Sequence, residues 1–272
     1  MPEYTFETPE PVQLYVENGS GTIDVSAGDV TRTEVRVEGR NAGQVEVFHD
    51  RGQVSVLAPK ARGIFGDQQI DMDIVVPAGS ALVVRSGSAD LRVTGEVAAT
   101  KIKSGSGEVS LERVTGIASI DTGSGDITLT EAADQLKVRS GSGDFAAERL
   151  DGMTTISTGS GDIRVERAAA PVVVKTGSGD LDIAQADADV SMTTGSGDTV
   201  IRHFARGKIT SKGASGDVRI GVPPGTPVWT DISSVSGRVH SGLEGVGEPE
   251  PGADHVEVRA TTVSGDVHLM PA

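Results

Sequence analysis

The sequence predicts an all-β fold, a single-stranded, right-handed parallel β-solenoid. Three observations carry that reading: a fixed repeat, apolar columns that keep its period, and no segment longer than a turn with helical periodicity. The five-residue phrase T/S-G-S-G-D/E returns every eighteen residues through the middle of the chain. It reads Ser86-Gly87-Ser88-Ala89-Asp90, then Ser104 to Glu108, Thr122 to Asp126, Ser140 to Asp144, Thr158 to Asp162, Thr176 to Asp180 and Thr194 to Asp198. A constant period of this size means one structural unit stacked on copies of itself.

Apolar residues placed eighteen apart turn the motif into strands. After each turn come the columns Leu91, Val109, Ile127, Phe145, Ile163, Leu181 and, two residues on, Val93, Leu111, Leu129, Ala147, Val165, Ile183, Ile201. This alternation marks a half-buried strand. Before each turn lies a second strand, with Val84, Ile102, Ile120, Val138, Ile156, Val174 and Met192 pointing inward, and the less regular Leu82, Ala118, Leu136, Val172 and Val190. A last column, Val114, Ala132, Leu150, Ala168, Ala186 and Phe204, closes the far corner. Each coil is thus strand, Gly-rich turn, strand and looser return. A lone coil buries too little to order its own backbone, so neighbouring coils must pair at about 4.8 Å, and parallel connections of this kind are right-handed.

The ends read as degraded coils. Asn18-Gly19-Ser20-Gly21 opens the chain, and Gly216-Asp217, Ser236-Gly237 and Ser264-Gly265-Asp266 close it at stretched spacings. We therefore read one continuous domain over 1–272, with irregular coils in 1–80, regular coils in 81–221 and irregular coils with a loop insertion in 222–272. One insertion, Ala58 to Gln69, exposes the apolar pair Ile64 and Phe65, the expected protein contact.

Composition narrows the function. A formal charge of −15 over 272 residues argues against nucleic acid, whose phosphates need a basic face. No cysteine is present, which removes disulfides, thiol catalysis and Cys-based zinc sites. The start has no basic region followed by an apolar stretch, and no run suits a membrane span, so the chain as given reads as cytoplasmic, without direct membrane insertion. No catalytic residue and no cofactor site emerges: His49, His203, His240, His255 and His268 fall in no metal or catalytic spacing, although His240, His255 and His268 could be gathered with Asp266 by folding. Arg202, Arg206, Lys208, Lys212 and Arg219 cluster in sequence and suggest a local salt-bridged face. The turn acids form a ladder in which neighbours repel by about 1 kcal/mol even in water. Gly amides and Ser/Thr hydroxyls of the same turn are expected to offset that. The alternative is Ca²⁺ between rungs, with Asp126, Asp144, Asp162, Asp180 and Asp198 as ligands.

The repeated T/S-G-S-G-D-[I/V/L] phrase, the approach Asp73-Ile74-Val75-Val76-Pro77-Ala78-Gly79 and the terminal Ser264-Gly265-Asp266-Val267 resemble the bacterial β-strand-repeat family labelled "putative adhesin", of unknown function. The resemblance implies a single-stranded β-helix without catalytic residues and a link to the cell envelope or its stress response. A weaker similarity is to bactofilins, which polymerise end to end. Two roles follow as expectations: a non-catalytic interaction or scaffold module with a protein partner, or a self-assembling structural protein. A Ca²⁺-binding β-roll is a distant third.

Overall fold

The computed structural model describes residues 2–59, 69–245 and 255–272. Among them the chain is all β apart from one turn of 3-10 helix, Ala42–Gln44. It divides into two compact units, Met1–Leu136 and Lys137–Ala272. Each is a parallel β-solenoid.

In the second unit the strands before the turns, Thr154–Thr158, Val172–Thr176, Val190–Thr194 and Gly207–Lys212, pair in parallel, coil on coil. So do the strands after the turns, Phe145–Leu150, Ile163–Ala168, Leu181–Ala186, Thr199–Phe204 and Val218–Val222. Register follows the repeat: Ile163 lies beside Leu181 and Val174 beside Met192. Every residue of the five apolar columns is buried in its own unit, so the interior is a stack of small aliphatic layers. Outward positions are polar because the side-chain period of a strand is two, and one face of each strand meets water.

The first unit departs from the regular coil at one corner. Asp90–Ser104 is a single strand that runs from one sheet into the next, bent at Gly95, whose φ is 80°. Its register against Val109–Val114 slips between Leu111 and Arg113, which makes room for the extra residue.

Coil order in space differs from coil order in sequence at both chain ends. Gln13–Asn18 sits between Gln53–Leu57 and Ser80–Ser86, and Thr22–Gly28 between Asp71–Pro77 and Asp90–Ser104. The N-terminal coil is therefore second in its stack, and Gln53–Leu57 and Asp71–Pro77 lie outside it. In the second unit the last coil in sequence is sandwiched likewise. Val256–Thr262 pairs with both Gly207–Lys212 and Val228–Ser234, and Val267–Pro271 with both Val218–Val222 and Val239–Ser241. The coil of residues 228–241 is outermost there.

The two outermost coils are treated differently. In the first unit, Glu46–Asp50 covers Gln53–Leu57 in antiparallel fashion, and Arg32–Glu38 covers Asp71–Pro77, followed by Glu3–Glu7. Thr33, Val35 and Val37 of the covering strand are buried over the end of the core. In the second unit, among the described residues, Val228–Ser234 and Val239–Ser241 pair on one side only.

Candidate interaction surfaces

The repeated phrase is an accounting of backbone hydrogen bonds between coils. In the turn of residues 176–180, the amides of Gly177 and Ser178 both donate to the Gly159 carbonyl one coil back, at 3.0 and 3.1 Å. The Gly179 amide donates to Thr176 Oγ1 at 2.9 Å, and the Asp180 amide to Asp162 Oδ1 at 3.1 Å. Those four amides are all satisfied, which a tight turn at the surface of a stack requires.

The aspartates therefore cap the next coil. Asp144 Oδ1 accepts from the Asp162 amide, Asp180 from Asp198, Asp198 from Asp217, and Asp217 from Asp266, all between 2.8 and 2.9 Å. The same-turn donors expected from sequence turn instead toward the turn's own backbone: the Thr and Ser hydroxyls take Gly amides, as Ser140 Oγ does from Gly143 at 2.9 Å. The ladder ends where Arg238 stands in the place of the next aspartate, its amide on Asp266 Oδ1 at 2.8 Å. That bond, with the Arg238 charge and the rings of His268 and His240 nearby, holds the Asp266 carboxyl below its ordinary value. A further coil in the same register would find no carboxylate to receive its amide.

The two roles of each carboxylate, acceptor and neighbour of like charge, separate by mutation. Asp180→Ala removes the acceptor for the Asp198 amide and is expected to cost about 1–2 kcal/mol. Asp180→Asn keeps an acceptor oxygen and removes two like-charge contacts of about 1 kcal/mol each in water, so it should unfold at or above the wild-type urea midpoint, with the gain shrinking in salt. An asparagine variant no more stable than the alanine variant would refute the capping role.

Among the described residues no three His, Asp or Glu side chains converge to hold a metal ion. Ile64 and Phe65 lie outside the described residues. His240 and His268 stack, ring centroids 5.2 Å apart and 15° from parallel, and Asp266 adjoins them. His255 is not with them; it precedes Val256–Thr262, where its carbonyl accepts the Gly207 amide. His203 sits beside Gln185, and His49 packs against Phe6. The basic group near residue 206 is split by the fold. Arg202 pairs with Asp182, and Arg219 with Asp198 and Asp217, on one sheet. Lys208 and Lys212 belong to the other.

The outermost coil of the second unit gathers several exposed apolar side chains. Trp229, Val235 and Val239 are 51%, 79% and 50% exposed, and Val263 of the adjacent coil 53%. Val228, Thr230 and Ile232 stand beside the buried Val256, Val258 and Ala260, so they continue the core columns to an end that no other described strand covers. Arg259 lies over the Trp229 ring, 5.4 Å from its centroid. Sequence reasoning missed this coil because exposure there depends on which coil ends the stack, and the turn spacing does not encode that.

No helix of the described residues is long and apolar enough to cross a membrane. The family model described as Toastrack DUF4097 matches residues 2–165 and again 119–270. No curated protein matches the chain in sequence. A crystal structure from Parabacteroides distasonis ATCC 8503, described as a "putative lipid binding protein", superposes with a TM-score of 0.51 at 12% identity, covering 98% of this chain and 96% of that one. This is a likeness of fold. Two structures described as a "putative adhesin" also match. The one from Parabacteroides merdae ATCC 43184 has a TM-score of 0.39 at 13% identity, covering 98% of this chain and 95% of that one. The other, from P. distasonis ATCC 8503, has 0.41 at 14%, covering 98% and 97%.

Proposed function

The chain belongs to the Toastrack DUF4097 family, and on that premise we propose that it is a non-catalytic interaction module that receives an extended segment of a protein partner on the outermost coil of its second unit. The observation that carries the reading is the contrast between the two outermost coils. Where the first unit covers its own with antiparallel strands that bury Thr33, Val35 and Val37, the second, among the described residues, leaves Val228–Ser234 and Val239–Ser241 paired on one side. Free strand edges are templates for another strand, and strand addition is a common mode of peptide capture. The fitting partner is a strand with alternating apolar residues, as in Arg32–Glu38.

Trp229 is the single tryptophan of the chain and reports on this edge. The test is capture of partners from native cells by the tagged protein, compared with Val228→Asp/Val239→Asp. Recovery should fall at least tenfold in the variant at unchanged circular dichroism, and the recovered partner should blue-shift the Trp229 emission. An undiminished partner set in the variant would remove the edge from consideration.

Self-assembly is favoured at this edge only as a closed pair. Arg238 in the ladder position gives a further parallel coil no acceptor, and the outermost coil of the first unit is already covered. Recovery of the chain alone, with a dimer in sedimentation that the same substitutions dissociate, would assign the edge to a second copy.

A further inference from the structure

Lysine, in the described residues, is confined by this fold to one face, which in the second unit it shares with Arg139 and Arg259. Among the described residues all the lysines, Lys101, Lys103, Lys137, Lys175, Lys208 and Lys212, stand on the outward side of strands that precede the turns. The strands after the turns in the second unit carry arginine, and there each has an acid: Arg164 with Asp162, Arg167 with Asp187, Arg202 with Asp182, Arg219 with Asp198 and Asp217. Lys137, Lys175 and Lys212 are exposed and form no ion pair among the described residues. Carboxylates on the same face, Glu257 and Asp231, are confined to the last two coils of the stack, where Lys208 and Arg259 take Glu257 at 3.1 and 2.7 Å.

The register makes this a patterned surface. Ser157, Lys175, Thr193, Lys212 and Thr261 follow one another along one outward column, with Thr155, Val173, Ser191 and Thr210 beside them. A lysine on every second coil places cations about 9.6 Å apart, near a Debye length, so they repel little yet act together on an extended anionic surface. In a protein of net charge −15 this face favours approach to such a surface, because the aspartate ladder runs along the turns at its edge and the regular coils of the face itself, in the second unit, carry no carboxylate on their pre-turn strands.

We propose that the pre-turn face of the second unit docks on the surface of an anionic lipid bilayer. Flat strands with hydroxyl rungs and hydrated, flexible lysines suit a diffuse plane of phosphate. Bidentate recognition of individual acids in a protein partner is the work of arginine, and the unpaired cations here are lysines. Each lysine near such a surface contributes about 1 kcal/mol, roughly fivefold in affinity.

The experiment is co-sedimentation of the full chain with phosphatidylcholine vesicles, with and without phosphatidylglycerol, at low and high salt. Binding is expected only with phosphatidylglycerol, weakening as salt rises. Lys137→Glu/Lys175→Glu/Lys212→Glu should weaken it by about 100-fold or more, Lys137→Gln/Lys175→Gln/Lys212→Gln should weaken it less, and Arg164→Glu on the opposite sheet should leave it unchanged. Circular dichroism checks each fold, and the glutamine set decides the matter if the glutamate set does not fold. Absence of binding to phosphatidylglycerol vesicles at low salt, or binding indifferent to both lysine sets, would overturn the proposal. So would capture of polyglutamate by the wild type without capture of vesicles, which would make the partner an acidic polypeptide.

Discussion

Replacing Gly179 by alanine is expected to destabilise the protein by more than about 3 kcal/mol, one of the larger effects a single methyl group can have. The reason is not dihedral freedom, since Gly179 is absent from the positive-φ residues. It is proximity. An added Cβ would lie far inside van der Waals contact of the Gly161 carbonyl oxygen, 2.8 Å from the carbonyl carbon and 3.1 Å from Thr176 Oγ1. Backbone cannot yield there without parting the coils, and parting them also lengthens the Gly177, Ser178 and Asp180 amide bonds to the previous coil. Gly28→Ala is the control: nothing lies within 4 Å of its added Cβ and its φ is not positive, so lower unfolded-state entropy should leave it neutral or stabilised by up to about 1 kcal/mol. Equal urea midpoints for the two variants would refute the close-stacking account.

This proximity explains why so much of the fold was legible. In the regular coils from Ser104 to Asp198, glycines that touch the carbonyls of the previous turn leave little room for a side chain, and the shared period fixes the register of the strands there. The columns that begin at Leu91, Val93, Val84, Leu82 and Val114 are buried as their spacing implies. What the period could not convey is connectivity. Residues 13–28 alternate equally well as an end coil or a second coil. Their place is decided by long-range bonds such as Asn18 Nδ2 to the Ile70 carbonyl at 2.8 Å, across 52 residues of sequence. The same holds for residues 255–271 and for the antiparallel covers. The ladder was seen, but not the direction of its bonds, because a spacing of eighteen cannot separate a donor in the same turn from one in the next. The lysine pattern was available, since Lys137, Lys175 and Lys212 occupy outward columns that the repeat defines. It was hidden by a net charge that sums over both sheets.

Phe204→Ala should cost about 3–5 kcal/mol, and the argument turns on its neighbours. Phe204 is fully buried and stands in register beside Ala186, which follows Ala168 in the same corner column. Two small residues followed by one aromatic fill the corner as a set. The ring reaches to the Gly207 bend, where φ is 99° and an added Cβ would sit 3.5 Å from Phe204 Cζ. Truncation therefore leaves a cavity bounded by backbone that bonds to the next coil, through the Gly207 amide to the His255 carbonyl at 3.0 Å, and cannot collapse freely. A shared corner predicts coupling. Ala186→Leu alone should destabilise by about 1–3 kcal/mol through overpacking, whereas Phe204→Ala/Ala186→Leu should recover part of the loss. Urea midpoints of the four proteins give the interaction energy directly. A strictly additive cycle would mean that the ring and the alanine do not share the corner, and that the small residues at Ala168 and Ala186 answer to some other constraint.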